Sequence, residues 1–176
     1  VGGEQGTSTI GARVGVRLQA HRRPVGRRTI RSAGAFVTSS NIPAGIFRQY
    51  DVRGIVGRDL TADVALALGR AYAAYLDARG KPGAIAVGRD NRPSGTMLRD
   101  ALVEGLTTSG RDVVDVGVVP TPLLYWSLHH VGVVGGIQIT GSHNPPEYNG
   151  FKLSVGTGSM HGEEIQELYR LTSRAP

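Results

Sequence analysis

The stretch TGSHNPPEYNG at residues 140–150 places a serine and a histidine side by side, directly after the apolar run VVGGIQI. A serine hydroxyl can act as a nucleophile and form a covalent intermediate. Pro145 and Pro146 fix their own φ angles and therefore stiffen the segment that follows Ser142 and His143. Two interpretations stay open: an ordinary polar turn, which uses the same residue types, or a loop that holds one hydroxyl in a fixed place.

Two well-known signatures are missing around this loop. Asn144 stands where the serine-hydrolase elbow G-x-S-x-G needs its second glycine, and Gly141 precedes Ser142 directly. No G-x-G-x-x-G turn follows the first strand-like run. The sequence therefore disfavours both serine-hydrolase chemistry and a dinucleotide site of the Rossmann type.

A second polar cluster, FRQYDVRG at residues 47–54, precedes the first predicted helix. Its candidate side chains are Arg48, Tyr50, Asp51 and Arg53. Because a guanidinium offers planar, two-point recognition of phosphate oxygens, this cluster could bind a phosphate. The alternative is a polar entry loop whose Asp–Arg pair lies at the surface and contributes little to stability.

A third cluster, VGRDNRPSG at residues 88–95, follows a predicted strand and runs into a helix. Arg89, Asp90 and Arg92 come just before Ser94, the predicted N-cap. Free N–H groups at the start of a helix favour an anion, so the cluster could form an anion site. The alternative is a loop that only caps the helix.

A lysine lies in the strand-like segment FKLSV at residues 151–155. The period of two places Phe151, Leu153 and Val155 on one face and Lys152 on the other. Lys152 could reach back over the 140–150 loop, or it could simply be solvated.

The elements that would position these residues alternate between strands and helices. Strands are predicted at residues 84–88, 112–119, 133–140 and 150–155, with helices between about 61–79, from Ser94, from Thr121 to Leu128, and at 162–171. The alternation indicates right-handed βαβ units, whereas the short link between the last two strands requires an antiparallel hairpin. The predicted fold is an α/β domain of three α/β/α layers with a mixed, four-stranded sheet. The 140–150 loop would then follow the carboxyl end of a strand, where open α/β sheets collect their sites.

Charge and composition limit the classes of function. The net charge of +6 falls entirely in residues 1–43, whereas residues 44–176 are neutral, so a basic nucleic-acid surface is not expected in the folded part. Residues 1–43 lack sustained periodicity and are predicted to be a disordered basic tail; a transit peptide or upstream sequence from a wrong start are the alternatives. No cysteine is present, and no apolar run of about 18 residues suggests a membrane span.

Taken together and in this order, FRQYDVRG, VGRDNRPSG, VPTPLLYW and TGSHNPPEYNGFK closely resemble the first domain of the α-D-phosphohexomutases, in their phosphomannomutase/phosphoglucomutase branch. The resemblance covers about residues 46–172. It implies a phosphohexomutase N-terminal domain at 44–172, followed at 173–176 by the start of an interdomain linker or a truncated end. The metal, sugar and phosphate loops that the family carries in its other three domains have no counterpart in these 176 residues.

The resemblance also implies a chemistry. Ser142 would carry a phosphoryl group that passes to a hexose 1- or 6-phosphate of mannose or glucose through a 1,6-bisphosphate intermediate. Arg53, with Tyr50, would brace the phosphoserine region, and His143, Asn144 and Lys152 would line the site. Either Lys152 or His143 would handle the hydroxyl proton; the sequence does not choose between them.

The remaining implications concern partners. The full enzyme would be cytoplasmic, would bind Mg²⁺ through the Ser142 phosphate and ligands of a second domain, and would be activated by glucose 1,6-bisphosphate. The chain would pack against domains 2–4 of its own protein, bind neither nucleic acid nor membrane, and be inactive as a mutase on its own. Two rivals stay open: a non-catalytic phosphosugar-binding or regulatory module of the same fold, and nucleic-acid binding through the arginine-rich tail.

Overall fold

The computed structural model describes residues 19–21 and 42–173, which form one mixed sheet covered by helices. A 3₁₀ turn at Ala44–Ile46 precedes the main body. The strands are β1 Gln19–His21, β2 Val52–Ile55, β3 Ile85–Arg89, β4 Val113–Val118, β5 Gly135–Ile139, β6 Tyr148–Val155 and β7 Gly158–Ser159. The helices are α1 Ala62–Asp77, α2 Gly95–Thr108, α3 Thr121–His130 and α4 Glu163–Thr172.

The strand order is β1-β4-β3-β5-β6-β2, with β7 paired to β6. Strands β4, β3 and β5 are parallel, whereas β5–β6, β6–β2 and β1–β4 are antiparallel. The predicted hairpin between the last two long strands is therefore confirmed. Alternate residues of β3 enter two separate cores: Ile85 and Val87 pack with α1, α2 and α4, and Ala86 packs with Leu124 and Leu128 of α3. Helices on both faces of a mixed sheet confirm the predicted three-layer α/β/α fold.

The predicted count of four strands is wrong, because the described part of the chain contains seven. The segment FRQYDVRG, interpreted as a loop, contains the first three residues of β2, which pairs with β6 along Val52–Ile55. Strand β1 lies within the segment predicted to be disordered and pairs with β4. The rest of that prediction, for residues 1–18 and 22–41, falls outside the described residues, as does most of the predicted linker at 173–176.

The predicted helix starts are partly confirmed. The Thr61 hydroxyl accepts a hydrogen bond from Val64 N at 3.3 Å, which is the expected N-cap of α1. Ser94 stands at the N-cap position of α2 but makes no side-chain cap, because its hydroxyl accepts from Asn149 Nδ2 at 2.8 Å. Thr121, whose position before Pro122 predicts an N-cap, is already helical; Pro120 takes the cap position of α3, which continues to His130.

Helix α2 buries only part of the apolar side chains that recur along it. Met97 is 39% exposed, whereas Leu98, Leu102 and Leu106 are buried, so the apolar face of the helix is narrower than its sequence suggests. Among the described residues, no helix combines the length and the apolar character needed to cross a membrane.

Candidate functional site

The loop at residues 140–147 links β5 to β6 and leaves the sheet at the carboxyl end of β5. The segment after β3 emerges beside it, since β3 and β5 are parallel and Asp90 N donates to Ile139 O at 2.9 Å. Strand β2 lies on the other side, because Arg53 is opposite Gly150, whose carbonyl accepts from Thr140 N at 2.9 Å. Three of the sequence clusters thus meet at one edge of the sheet.

Ser142 has its backbone held and its side chain free. Its φ of 54° makes it the one non-glycine residue with a positive φ among the described residues. Its N–H donates to Thr140 Oγ1 at 3.0 Å, and its carbonyl accepts from Arg92 Nη2 at 3.3 Å. The side chain is exposed, and within residues 42–173 no hydrogen bond reaches its hydroxyl. The geometry therefore presents the Ser142 Oγ to solvent from a fixed backbone.

Arg92 holds the loop from inside. Its Nη1 donates to the carbonyls of Pro145 at 2.7 Å and Tyr148 at 2.9 Å, and its Nη2 donates to those of Asn144 at 2.6 Å and Ser142. The side chain is only 15% exposed. Of the two interpretations of this cluster, Arg92 agrees with the structural one, because its guanidinium donors bind the loop and are not left for an anion.

Asp90 completes the support of the loop. One carboxylate oxygen accepts from Arg92 N at 3.0 Å, and the other accepts from Gly141 N and lies near Arg92 Nε, both at 3.3 Å. Asp90 therefore connects the backbone on the N-terminal side of Ser142 to the guanidinium that holds the C-terminal side. The segment after β3 therefore supports the 140–147 loop through Asp90 and Arg92, in addition to leading into α2.

A charged group of three residues lies beside the loop. Asp51 is almost fully buried, accepts from Arg53 Nη2, and lies 3.4 Å from Lys152 Nζ. Lys152 is therefore not simply solvated, and its side chain is 26% exposed. Arg53 Nε is buried and has no hydrogen-bond partner within the described residues, so Asp51 does not satisfy every donor of this guanidinium, whose side chain is 20% exposed.

The other predicted residues are less constrained. Tyr50 is 69% exposed, and His143 is exposed on the loop next to Ser142. Asn144 contributes its backbone carbonyl to Arg92. In residues 42–173, no hydrogen bond or ion pair joins the side chain of Ser142 to His143, Arg53 or Lys152. The structure brings these groups to one edge of the sheet without direct contacts between them.

A family model described as phosphoglucomutase/phosphomannomutase, alpha/beta/alpha domain I, matches residues 44–175. The chain belongs to the phosphoglucomutase/phosphomannomutase family.

Similar proteins span a wide range of organisms. A phosphomannomutase/phosphoglucomutase of Pseudomonas aeruginosa is 50% identical over 127 residues, which are 72% of this chain and 27% of that protein. A phosphoglucomutase of Neisseria meningitidis is 47% identical over 77% of this chain and 29% of its own length. A crystal structure of a family protein from Burkholderia thailandensis superposes with a TM-score of 0.72 at 44% identity, covering 77% of this chain and 31% of that one. The chain thus spans between a quarter and a third of these relatives.

Asn149 and Thr140 of this phosphoglucomutase/phosphomannomutase domain support the site and were missed by the sequence reasoning. Asn149 is fully buried; its amide donates to Ser94 Oγ, and its Oδ1 accepts from Gly150 N at 2.9 Å. Thr140 accepts from Ser142 N. Asn149 directly precedes Gly150 at the start of β6, and a buried amide must find a hydrogen-bond partner, but the sequence alone does not show that Asn149 is buried.

The carboxylates near the Ser142 loop already have partners. Within the described residues, no group of three or more His, Asp or Glu side chains could hold a metal ion. Asp51 already binds Arg53 and Lys152, and Asp90 binds Arg92 and Gly141. The described part of the chain therefore does not fit Mg²⁺ by itself, because a hard cation needs several oxygen ligands.

Proposed function

We propose that this domain carries a phosphoryl group on Ser142 as part of a phosphohexomutase. The observation that carries the proposal is the exposed Ser142 hydroxyl, which is presented at a φ of 54° from a loop fixed by Arg92. Transfer of a phosphoryl group depends chiefly on placement and on stabilisation of charge, so a rigid mounting suits this role. Arg53 and Lys152 supply positive charge at the same edge of the sheet.

In the proposed reaction, Ser142 gives one phosphoryl group to the sugar and later takes a different one back from it. A hydroxyl oxygen of a hexose 1- or 6-phosphate attacks the phosphorus on Ser142; the new P–O bond forms as the P–Oγ bond breaks. The sugar hydroxyl gives up its proton and Ser142 Oγ regains one, which yields free serine and a hexose 1,6-bisphosphate. The bisphosphate turns over and returns its other phosphate to Ser142, so that the phosphate has changed position on the sugar.

Two side chains are candidates for moving the hydroxyl proton. His143 is exposed next to Ser142, and Lys152 is held by Asp51 at 3.4 Å. The position of the bound sugar hydroxyl decides which of the two lies within reach of its proton. We therefore propose either His143 or Lys152 as the acid or base. Arg53 would contact the phosphate through the exposed part of its guanidinium, with Tyr50 and Asn144 lining the entrance.

The substrates and cofactors proposed for the whole protein follow its relatives. Relatives are named as phosphomannomutase or phosphoglucomutase, which suggests mannose and glucose 1- and 6-phosphates as substrates. Mg²⁺, with glucose 1,6-bisphosphate as activator, stays part of this proposal, and so does a cytoplasmic location. The metal would need ligands beyond the described residues.

We expect the 176-residue chain to have no mutase turnover at rates typical of enzymes, which still allows a slow, single transfer of phosphate to Ser142. It spans 27% of the Pseudomonas aeruginosa relative, and the described residues contain no cluster of metal ligands. A coupled assay that follows glucose 1-phosphate or mannose 1-phosphate would check this expectation. Conversion at a rate typical of enzymes, about 1 s⁻¹ or faster, would contradict it.

Phosphate acceptance by Ser142 tests the proposed function directly. The chain is incubated with glucose 1,6-bisphosphate and its intact mass is measured; a gain of one phosphate is expected. Ser142→Ala should remove the gain, and Ser159→Ala, a change at an exposed serine in β7, should not. Binding of the bisphosphate without a change in mass would instead support a non-catalytic phosphosugar-binding module.

A further inference from the structure

The guanidinium of Arg92 lies at the centre of the loop that carries Ser142. Four carbonyls between residues 142 and 148 converge on its two terminal nitrogens, and the Asp90 carboxylate lies against Nε. The five N–H groups of an arginine form a rigid planar fork. Because four carbonyls must converge on this one planar group, the backbone dihedrals of residues 142–148 are strongly restricted.

The restriction reaches Ser142 directly. Arg92 orients the Ser142 carbonyl, and Thr140 Oγ1 orients its N–H, so both peptide groups around this residue are held. A positive φ is unfavourable for serine and persists only where the surroundings impose it. Among the described side chains, Arg92 makes the most hydrogen bonds to residues 140–148, four in all.

Gly141 shows how closely the loop fits the guanidinium. A Cβ placed on Gly141 would lie 2.5 Å from both Cζ and Nε of Arg92, which is closer than side-chain atoms approach. Any other residue at this position would push the guanidinium out of its place. The glycine and the arginine therefore form one fitted pair.

We propose that Arg92 is the positioning residue that sets the Ser142 hydroxyl for phosphoryl transfer. The predicted effect of Arg92 on the rate of phosphoryl transfer rests on the proposed function. Its predicted effect on the order of the 140–150 loop rests on the geometry alone. Arg92 acts through the backbone of residues 142–148 and does not touch the phosphate, because its donors are occupied.

The proposal distinguishes arginine from lysine at this position. A lysine ammonium keeps the charge but has three donors on one atom, so it cannot reach four separated carbonyls in a plane. Arg92→Lys should therefore loosen the loop even though the charge is retained. Arg170→Lys is the matched control, because Arg170 is exposed on α4 and forms an ion pair with Glu163 there.

The test measures rate and loop order on the same protein. Phosphate uptake by Ser142 from glucose 1,6-bisphosphate is followed by intact mass at several donor concentrations, and hydrogen exchange is followed in the 140–150 peptide. For Arg92→Lys we expect the maximal rate to fall about a hundredfold, since a displacement of about 1 Å can have that effect. The half-saturating donor concentration should change less than about threefold, because the donor contacts other residues. Exchange should accelerate in the loop and stay native in α1 and β3.

A second variant keeps the proposal testable if Arg92→Lys does not fold. Gly141→Ala leaves Arg92 in the chain but displaces its guanidinium, so it should reproduce both effects. Gly158→Ala is its control, since the nearest atom to an added Cβ there is Val155 O at 3.7 Å. A native maximal rate in Arg92→Lys or Gly141→Ala would overturn the proposal, and so would acceleration of exchange over the whole domain.

The two proposals can fail separately. If the native chain accepts no phosphate, the proposed function fails, and hydrogen exchange alone decides the role of Arg92. Loss of loop protection in Arg92→Lys would then still support the positioning role, whereas native protection would overturn it. If the native chain accepts phosphate and both variants do so equally fast, only the Arg92 inference fails.

Discussion

At the scale of single residues, Ser142 combines an unfavourable backbone conformation with an exposed, unpaired hydroxyl. The left-handed region costs a non-glycine residue about 1–2 kcal/mol. Strain of this kind is retained where the surrounding contacts impose it, and here the contacts are those of Arg92 and Thr140. The strained residue is also the one that the proposed function requires to be fixed.

This strain predicts an unusual result for one substitution. Ser142→Gly should raise the free energy of unfolding by about 0.5–1 kcal/mol, because relief of strain exceeds the additional entropy that glycine loses on folding, about 0.5–1 kcal/mol. Ser142→Ala, which keeps a Cβ, should stay close to the native protein. Urea unfolding of both variants provides the measurement.

The control for this prediction is Ser159→Gly in β7, where φ is not positive, so that glycine should only destabilise. A Ser142→Gly variant less stable than Ser142→Ala would show that the left-handed conformation carries no strain.

The sequence identified some functional residues and missed others for a physical reason. Ser142, Arg53 and Lys152 could be singled out because their own side chains suit phosphate chemistry. The role of Arg92 could not, because its partners are backbone carbonyls between 50 and 56 residues away in the chain. A backbone carbonyl is present at every position, so no letter of the sequence marks it as a partner.

At the scale of elements, α1 and α2 cross at two glycines. A Cβ on Gly105 would lie 2.2 Å from Leu66 O, and one on Gly69 would lie 2.5 Å from Leu102 O. The backbones of the two helices are therefore in direct contact. This contact brings α2, and with it the segment that contains Asp90 and Arg92, close to the core built on α1.

Gly105→Ala should lower the free energy of unfolding by about 1–3 kcal/mol, because the helices must separate. Intrinsic helix propensity predicts the opposite sign, a gain of about 1 kcal/mol. Thermal or urea unfolding distinguishes the two, with Ala74→Gly at an exposed site of α1 as a measure of propensity alone. A stabilised Gly105→Ala variant would contradict the close crossing.

The turn after β2 depends on the charge of Asp59. Hydrogen bonds from the Arg58 guanidinium, and then from Ile55 N at 2.9 Å, lower the pKa of the Asp59 carboxyl to about 2. The pKa of the folded form thus lies below the unfolded value of about 3.9. The resulting stabilisation is present above about pH 4 and is lost as the pH falls towards 2.

We therefore expect Asp59→Asn to be less stable than the native chain at neutral pH and to approach it in stability between pH 4 and pH 2. Urea midpoints over this range provide the test, with Glu104→Gln on the exposed face of α2 as the control. A difference between Asp59→Asn and native protein that does not change with pH would contradict the assigned hydrogen bonds. Because Arg58 is 69% exposed, the effect should shrink in high salt.

Element types were predictable where apolar periodicity was strong, as in α1 and β3. Strand β2 was missed because VRGI contains an arginine and a glycine, and its pairing with β6 depends on residues almost 100 positions away. The Ser94 cap was predicted from local rules alone. The Ser94 hydroxyl instead accepts from the amide of Asn149, which is fully buried and must have a partner, so a tertiary contact replaced the local cap.

At the scale of the whole molecule, the polar and charged side chains of the candidate site lie at one edge of the sheet. The segment after β3, the loop after β5, and the start of β2 with Lys152 of β6 all contribute to it. Only part of the proposed reaction can be assigned to these groups, since the described residues hold no cluster of metal ligands. The chain accounts for 27% of the Pseudomonas aeruginosa relative and, in the proposal, for the phosphate carrier of the whole protein.

The most direct test of this account locates the phosphate. The chain is incubated with glucose 1,6-bisphosphate and digested, and the peptide containing residues 140–150 is sequenced by tandem mass spectrometry. The account predicts one phosphate per chain, on Ser142 and nowhere else, with none on Ser142→Ala. A chain that remains unmodified, or that carries its phosphate at another hydroxyl such as Ser154 or Thr157, would contradict it.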